Sequence, residues 1–414
     1  MKQGYRIVDA DAHVIEPNDL WQRHLDPALR ARGPRHLSLA FSVETDGIAI
    51  NTPERWDPEA TPERLALRDA RIQATFAEIF PRAAARGFDG VAQLEDMDVE
   101  GVDVAFLYPS YGLFVTASDA IAPPLASAIA RAYNDWLAAF CAVDPKRLRG
   151  VGMVALQDPE AAAQEAARVA ETYGFRSVFA RPNPILGRNL DDPAYDPLWA
   201  VLSERGMAIG LHEGGMPPLP QAGADRLRNA EQRHICSHPM EQMVAAVGLI
   251  YGGVLERFPA MTVAFLEAGC GWVPFWLERM DDHYEKGLAR DFGAAKRLSM
   301  APSAYFRRQC FVSADADESM LAQVIDLIGD ERIVFSTDYP HPDSKYPHAV
   351  DAFLALPGIA PESKRRILWD NALALYGLES VERESIVSPS GGGAAARRRR
   401  RARSRAGAAA RAVP

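Results

Sequence analysis

The 414-residue chain has only four cysteines, Cys141, Cys236, Cys270 and Cys310, far apart and without a C-x-x-C pair. A disulfide scaffold, a zinc knuckle and a dithiol redox motif are thereby excluded. No apolar run reaches the ~18 residues that a membrane helix needs, and the opening MKQGYRIVDADAH lacks the apolar stretch of a secretion signal. A cytoplasmic protein with no membrane partner is expected. There is no G-x-S-x-G elbow, no G-x-G-x-x-G and no P-loop, so neither a serine hydrolase nor a nucleotide enzyme is supported.

Hydrophobic residues make up 48% and charged residues 24%, which excludes a mostly disordered or collagen-like chain. The net charge of −9 averages two unlike parts. Residues 391–414 hold eight arginines and no acid; without them 38 basic residues face 55 acidic ones, and residues 1–390 carry −17. So acidic a body repels nucleic acid, and no specific nucleic-acid partner is expected. The Gly/Ala/Arg tail lacks the apolar residues of a core and reads as disordered. Two domains follow: a folded one over 1–380 and an Arg-rich tail over 381–414.

Short apolar, β-branched runs read as buried parallel strands. They fall at Tyr5–Asp11, Asp103–Tyr108, Arg149–Leu156, Ser177–Arg181, Met207–His212, Thr262–Glu267, Cys310–Ala314 and Arg332–Thr337. Amphipathic stretches follow nearly all of them: Pro124–Val143, Asp158–Tyr173, Asp196–Arg205, Met240–Phe258, Val273–Leu288, Ser319–Ile328 and Pro361–Tyr376. Eight alternating units predict an α/β protein, a (β/α)8 TIM barrel, with residues 14–100 as an insertion after the first strand. Within that insertion His36–Ile50 is expected to form a hairpin turning at Asp46-Gly47, and Pro62–Arg86 a helix.

Barrel active sites sit at the C-terminal strand ends. Asp11, His13, His212, Glu267 and Asp338 stand there, and such groups are costly in a barrel mouth unless paired or bound to metal. In Asp11-x-His13 the i, i+2 spacing turns both side chains to one face, a chelate if His212 and Asp338 join it. Mixed nitrogen and oxygen ligands suit iron, zinc or manganese. Arg181 ends the fourth strand as a carboxylate clamp or a structural ion pair. His238, in H-P-M-E-Q, lines the pocket or caps a helix start. Tyr108 opens the loop after the second strand as a pocket residue. His341 is a catalytic or supporting group. Trp272, Phe275 and Trp276 are expected to pack a helix.

Six stretches, D-A-D-A-H-V-I-E-P (9–17), Y-N-D-W-L (133–137), G-L-H-E-G-G (210–215), G-G-V-L-E-R-F-P (252–259), F-L-E-A-G-C-G-W (265–272) and S-T-D-Y-P-H (336–341), resemble the amidohydrolase-related family. The resemblance is to its branch around aminocarboxymuconate-semialdehyde decarboxylase and covers roughly residues 5–378. It implies a (β/α)8 barrel with a divalent metal held from strands 1, 5, 6 and 8. Asp11 and His13 take the place of the usual H-x-H, His212 is the strand 5 histidine, and Asp338 the strand 8 aspartate. Glu267 replaces the strand 6 histidine, either as a ligand, as a bridge between two ions, or as a proton shuttle. One ion per chain is expected, two being the alternative. The leading expectation is hydrolysis of a small-molecule carbonyl by metal-activated water, with Asp338 as base and His212 or His341 stabilising the oxyanion. Nonoxidative decarboxylation of a small aromatic or enoic carboxylic acid is the alternative. A homodimer is expected.

Overall fold

A computed structural model describes residues 1–39, 41–52, 60–286 and 298–378. Two units divide the chain, Met1–Gly377 and Leu378–Pro414. The Arg-rich tail lies outside the described residues.

The strands form where the apolar runs predict them: β1 (Val8–His13), β5 (Val104–Tyr108), β6 (Leu148–Gly150), β7 (Gly152–Met153), β8 (Ser177–Ala180), β9 (Ala208–Leu211), β10 (Thr262–Phe265), β11 (Cys310–Ala314) and β12 (Ile333–Phe335). All their ladders are parallel. They make two sheets, ordered β1-β5-β6 and β12-β11-β10-β9-β8-β7. At one end a single residue separates β6 from β7. There Gly150 is required, because a Cβ would come within 2.4 Å of the Phe175 ring. At the other end the chain after β12 meets β1: Asp338 N–H donates to Asp11 O (3.3 Å) and His13 N–H to Tyr339 O (2.6 Å). The expected eight-stranded barrel is therefore met as two parallel sheets, with no described ladder joining β12 to β1. The reason is local: β12 is three residues long, and the chain beyond it reaches β1 through Asp338, whose φ of 57° is not that of a strand.

Between β1 and β5 the expected hairpin is one strand larger, with β2 (Arg35–Ser38), β3 (Ser42–Thr45) and β4 (Ile48–Ile50) antiparallel. Asp46 and Gly47 turn it at φ 54° and 76°, the left-handed pair that a tight hairpin needs. The expected helix over Pro62–Arg86 is two, Pro62–Ile79 and Pro81–Arg86, because Pro81 has no N–H to continue the first. Phe80 at the break is fully buried with Phe76, Ala92, Tyr339 and Tyr346. Asp96, on the helix Gly90–Glu100, accepts hydrogen bonds from Tyr339 (2.8 Å) and Tyr346 (2.9 Å). This cluster ties the loop after β12 to the helices.

The helix Pro159–Tyr173 starts as Asp-Pro predicts, with Asp158 accepting from Ala161 N–H at 3.1 Å. The helix expected at Met240 begins ten residues earlier and runs Ala230–Tyr251. Asn229 caps it, accepting from Gln232 N–H at 2.9 Å, and Pro239 sits inside. Trp272 packs edge-on against Phe265 and Trp276 donates to Met243 O, but Phe275 is exposed. No described helix is long and apolar enough to cross a membrane.

Candidate metal centre

Six donor-bearing side chains meet at the C-terminal ends of the strands. β1 supplies Asp11 and His13, although its ladder with β5 is bulged between Asp9 and Ala12. The bulge leaves the pair convergent, with His13 Nε2 3.7 Å from Asp11 Oδ1. His212 follows β9 directly, and its Nε2 lies 3.6 Å from the same Asp11 oxygen. Asp338 Oδ1 stands 3.4 Å from His13 Nε2. Glu267 Oε2 stands 3.0 Å from His212 Nε2. His341 Nδ1 is 2.7 Å from Asp338 Oδ1.

The protonation pattern decides what these contacts mean. His13 Nδ1 lies 2.8 Å from Pro109 O, and His212 Nδ1 2.5 Å from Glu213 O. A carbonyl only accepts, so each Nδ1 carries the hydrogen and each Nε2 presents a lone pair. Burial holds both imidazoles neutral, lowering His13 well below the usual range and His212 to about 3. Each Nε2 lone pair therefore faces carboxylate oxygens that, when ionised, also have only lone pairs. Asp11 Oδ1, His13 Nε2 and His212 Nε2 are buried without a hydrogen-bond partner, a costly arrangement unless a cation lies among them. Burial, then repulsion between neighbouring carboxylates, raises Asp11 and Glu267; a divalent ion would reverse both effects. Donors held ~2.0–2.2 Å from such an ion stand ~3.0–3.6 Å apart, close to the spacings here. The residues fit a divalent metal, and the nitrogen and carboxylate set suits a first-row ion.

Two donors are held under strain. Glu267 and Asp338 have φ of 47° and 57°, the left-handed region that costs a side-chain-bearing residue about 1–3 kcal/mol. Ser313 Oγ accepts Glu267 N–H at 3.1 Å, and Asp9, behind the site, accepts from Thr337 N–H at 3.1 Å. Burial works against a charged His341, yet the Asp338 carboxylate overrides it and raises the imidazole. Ser110 Oγ lies 2.9 Å from His341 Nε2. Its loop is anchored by Glu16, whose carboxylate accepts from the N–H groups of Ser110, Tyr111 and Gly112 at 3.2, 3.0 and 2.8 Å.

Two of the donors, Glu267 and Asp338, open on a cleft of ≈ 400 Å³ lined also by His234, His238, Asp315, Asp317, Glu318 and Asp343. A larger groove of ≈ 940 Å³, beside the helix Val273–Lys286, holds none of them. Size alone would misplace the site.

Of the three expected substrate-binding residues, His238 lines the cleft, and Arg181 and Tyr108 are buried away from it. Arg181 is no free clamp: it is buried and makes four bonds, to Glu213 (2.6 Å), Gly214 O, Leu113 O and Asn183. Its pair with Glu213 is buried on both sides. Tyr108 is fully buried behind the imidazoles, its hydroxyl 3.1 Å from that of Tyr376, so it offers no surface to a ligand. His238 caps nothing: it lies within its helix, buried, with Nε2 3.5 Å from Glu267 Oε1. His234, which no sequence motif singles out, lies beside it with ring centroids 4.1 Å apart and the planes tilted.

The amidohydrolase family model matches residues 8–378. The chain belongs to the amidohydrolase family. Within it, this amidohydrolase-family chain falls in the branch of aminocarboxymuconate-semialdehyde decarboxylase. It is 26% identical over 295 residues to the 2-amino-3-carboxymuconate-6-semialdehyde decarboxylase of Dictyostelium discoideum, covering 70% of this chain and 77% of that one. It is 29% identical over 272 residues to the gamma-resorcylate decarboxylase of Rhodococcus jostii (strain RHA1), covering 61% and 77%. Among solved structures, the 5-carboxyvanillate decarboxylase of Novosphingobium aromaticivorans, complexed with manganese and 4-hydroxy-3-methoxy-5-nitrobenzoic acid, aligns with a TM-score of 0.64. That alignment covers 91% of this chain and 97% of that one at 22% identity. These relatives correct the leading expectation: they are decarboxylases, and hydrolysis of a carbonyl substrate has no support among them. The physical reason is that a strand-end metal site of this kind serves either reaction, so ligand-type residues alone do not separate them.

Proposed function

We propose that this chain is a divalent-metal-dependent, nonoxidative decarboxylase of a small aromatic or enoic carboxylic acid. The observation that carries the reading is the run Ser110–His341–Asp338, which ends in a carboxyl group at the donor cluster, beside relatives named as decarboxylases. An ion bound by Asp11, His13, His212 and Asp338 would supply positive charge to hold the substrate's carboxylate and a neighbouring oxygen. Iron, zinc and manganese all match the donor set.

Decarboxylation needs a proton at the carbon bearing the carboxylate. Asp338 delivers it, and His341 Nδ1, 2.7 Å away, resupplies it. The carbon takes that proton with an electron pair from the ring or enol system. The carbon–carboxylate bond then breaks, its pair returns to that system, and carbon dioxide leaves. Ser110 holds His341 in line through Nε2. No water is consumed. The two sheets are read as arcs of one (β/α)8 barrel within residues 1–380, followed by an Arg-rich tail, and the expected assembly is a homodimer.

The test uses the full-length, manganese-loaded protein with γ-resorcylate, 5-carboxyvanillate and aminocarboxymuconate semialdehyde, measuring carbon dioxide in the headspace. At least one acid should lose carbon dioxide, and Asp338→Asn should slow that loss by about 10²–10⁴, the usual worth of a positioned acid. Release from every acid no faster than in the Asp338→Asn control would overturn the reading.

A further inference from the structure

His234 and His238 have no part in the chemistry above, yet both face Glu267. They stand i, i+4 on the helix Ala230–Tyr251, a spacing that puts two imidazoles on one helix face. One donor atom from each, together with a Glu267 carboxylate oxygen, fall within 4.8 Å of one another. We propose that His234, His238 and Glu267 form a second divalent-cation site, with Glu267 bridging it to the first.

Glu267 is built to bridge. Its Oε2 points to His212 of the first site at 3.0 Å, and its Oε1 to His238 Nε2 at 3.5 Å. The two oxygens thus each meet a different imidazole. Those two imidazoles are the only ion-pair partners that the described residues give Glu267. The nearby cations are engaged elsewhere, Arg181 by Glu213 and Lys345 by Asp317 at 2.7 Å. Asp11 and Asp338 already match the charge of one divalent ion, which leaves Glu267 as a third carboxylate without a cation of its own.

His238 is oriented for the role. Ser237 Oγ lies 3.2 Å from its Nδ1, which leaves Nε2 towards Glu267. An N2O donor set with open positions suits zinc, manganese or iron, and is too rich in nitrogen for calcium or magnesium. Entry is open, since His234 is exposed and Glu267 keeps 24% of its side chain accessible. The cleft in front of them carries Asp315, Asp317, Glu318 and Asp343 against Lys345, a field that concentrates cations.

The experiment is metal stoichiometry of the full-length protein equilibrated with zinc or manganese alone, by elemental analysis, with electron paramagnetic resonance of the manganese form. Two ions per chain are expected, and a spin-coupled manganese spectrum. His234→Ala, at an exposed position that leaves the fold intact by circular dichroism, should keep one ion and an uncoupled spectrum, and His238→Gln should do the same. Glu267→Gln should lose the coupling and the second ion. One ion at saturation in the unmodified protein overturns the proposal, as does a second ion that survives His234→Ala or Glu267→Gln. None of these readouts involves turnover. Two ions without carbon dioxide release would sink the decarboxylase reading and spare this site; release with a single ion would do the reverse.

Discussion

Arg181 marks how far a side chain's type and position can carry a functional reading. A guanidinium at a strand end suits a substrate carboxylate and a buried glutamate equally, because both present the same pair of oxygens. Its bonds to Glu213, Gly214, Leu113 and Asn183 favour the buried glutamate. Removing one partner of a buried ion pair leaves the other charged and unsolvated, at a cost of about 3–5 kcal/mol. Arg181→Met should therefore lower the urea midpoint by an equivalent amount, while KM of the remaining folded enzyme stays near the parent value. A raised KM at unchanged stability would restore the clamp. Asp11, His13, His212, Glu267 and Asp338, by contrast, are legible as a group. Carboxylates and imidazoles at the ends of apolar strands have few reasons to be there, and all five meet.

Among the elements, buried parallel strands announce themselves by unbroken apolar, β-branched runs, and the observed strands lie within or beside those runs. Helix starts are less legible. Pro239 looks like a first-turn proline, so the helix is read from Met240, and His234 falls outside it. Only the cap at Asn229 puts His234 and His238 on one face. Left-handed backbone at Glu267 and Asp338 has no sequence signature, since neither is glycine. One carboxylate, Glu16, joins the end of β1 to the loop after β5. Burial pushes its pKa up to about 7, against the pull of the backbone N–H groups it accepts. A carboxyl raised on folding binds its proton more tightly in the folded chain. Its contribution is complete below about pH 4.5 and is lost as the pH climbs through about 7, at most ~3 kcal/mol. Stability of the metal-stripped protein should fall across that window, and Glu16→Gln should flatten the fall. A parent curve as flat as that of Glu16→Gln would show the burial argument to be wrong.

At the scale of the whole chain, charge is divided between a body of −17 and a terminal segment with eight arginines. That segment has no apolar periodicity, so we expect it to add nothing to the core. Truncation after Ser390 should leave the melting temperature and turnover unchanged within error. A drop in either would mean that the arginines rest on the acidic surface.

The left-handed donors bear on how such a protein responds to selection. Glu267 and Asp338 each hold strained backbone and add to a cluster of carboxylates that repel one another. Glycine at either position would relieve both burdens, since it adopts positive φ without penalty. Glu267→Gly should thus raise the melting temperature of the metal-stripped protein while weakening metal binding. With metal in excess the order should invert, because the parent gains stability in proportion to the logarithm of ion concentration over its dissociation constant. A screen for heat resistance run in chelator would enrich glycine variants that bind metal weakly, and the same screen run in manganese would purge them. Thermostability and activity are antagonists or allies in this molecule according to what is dissolved around it.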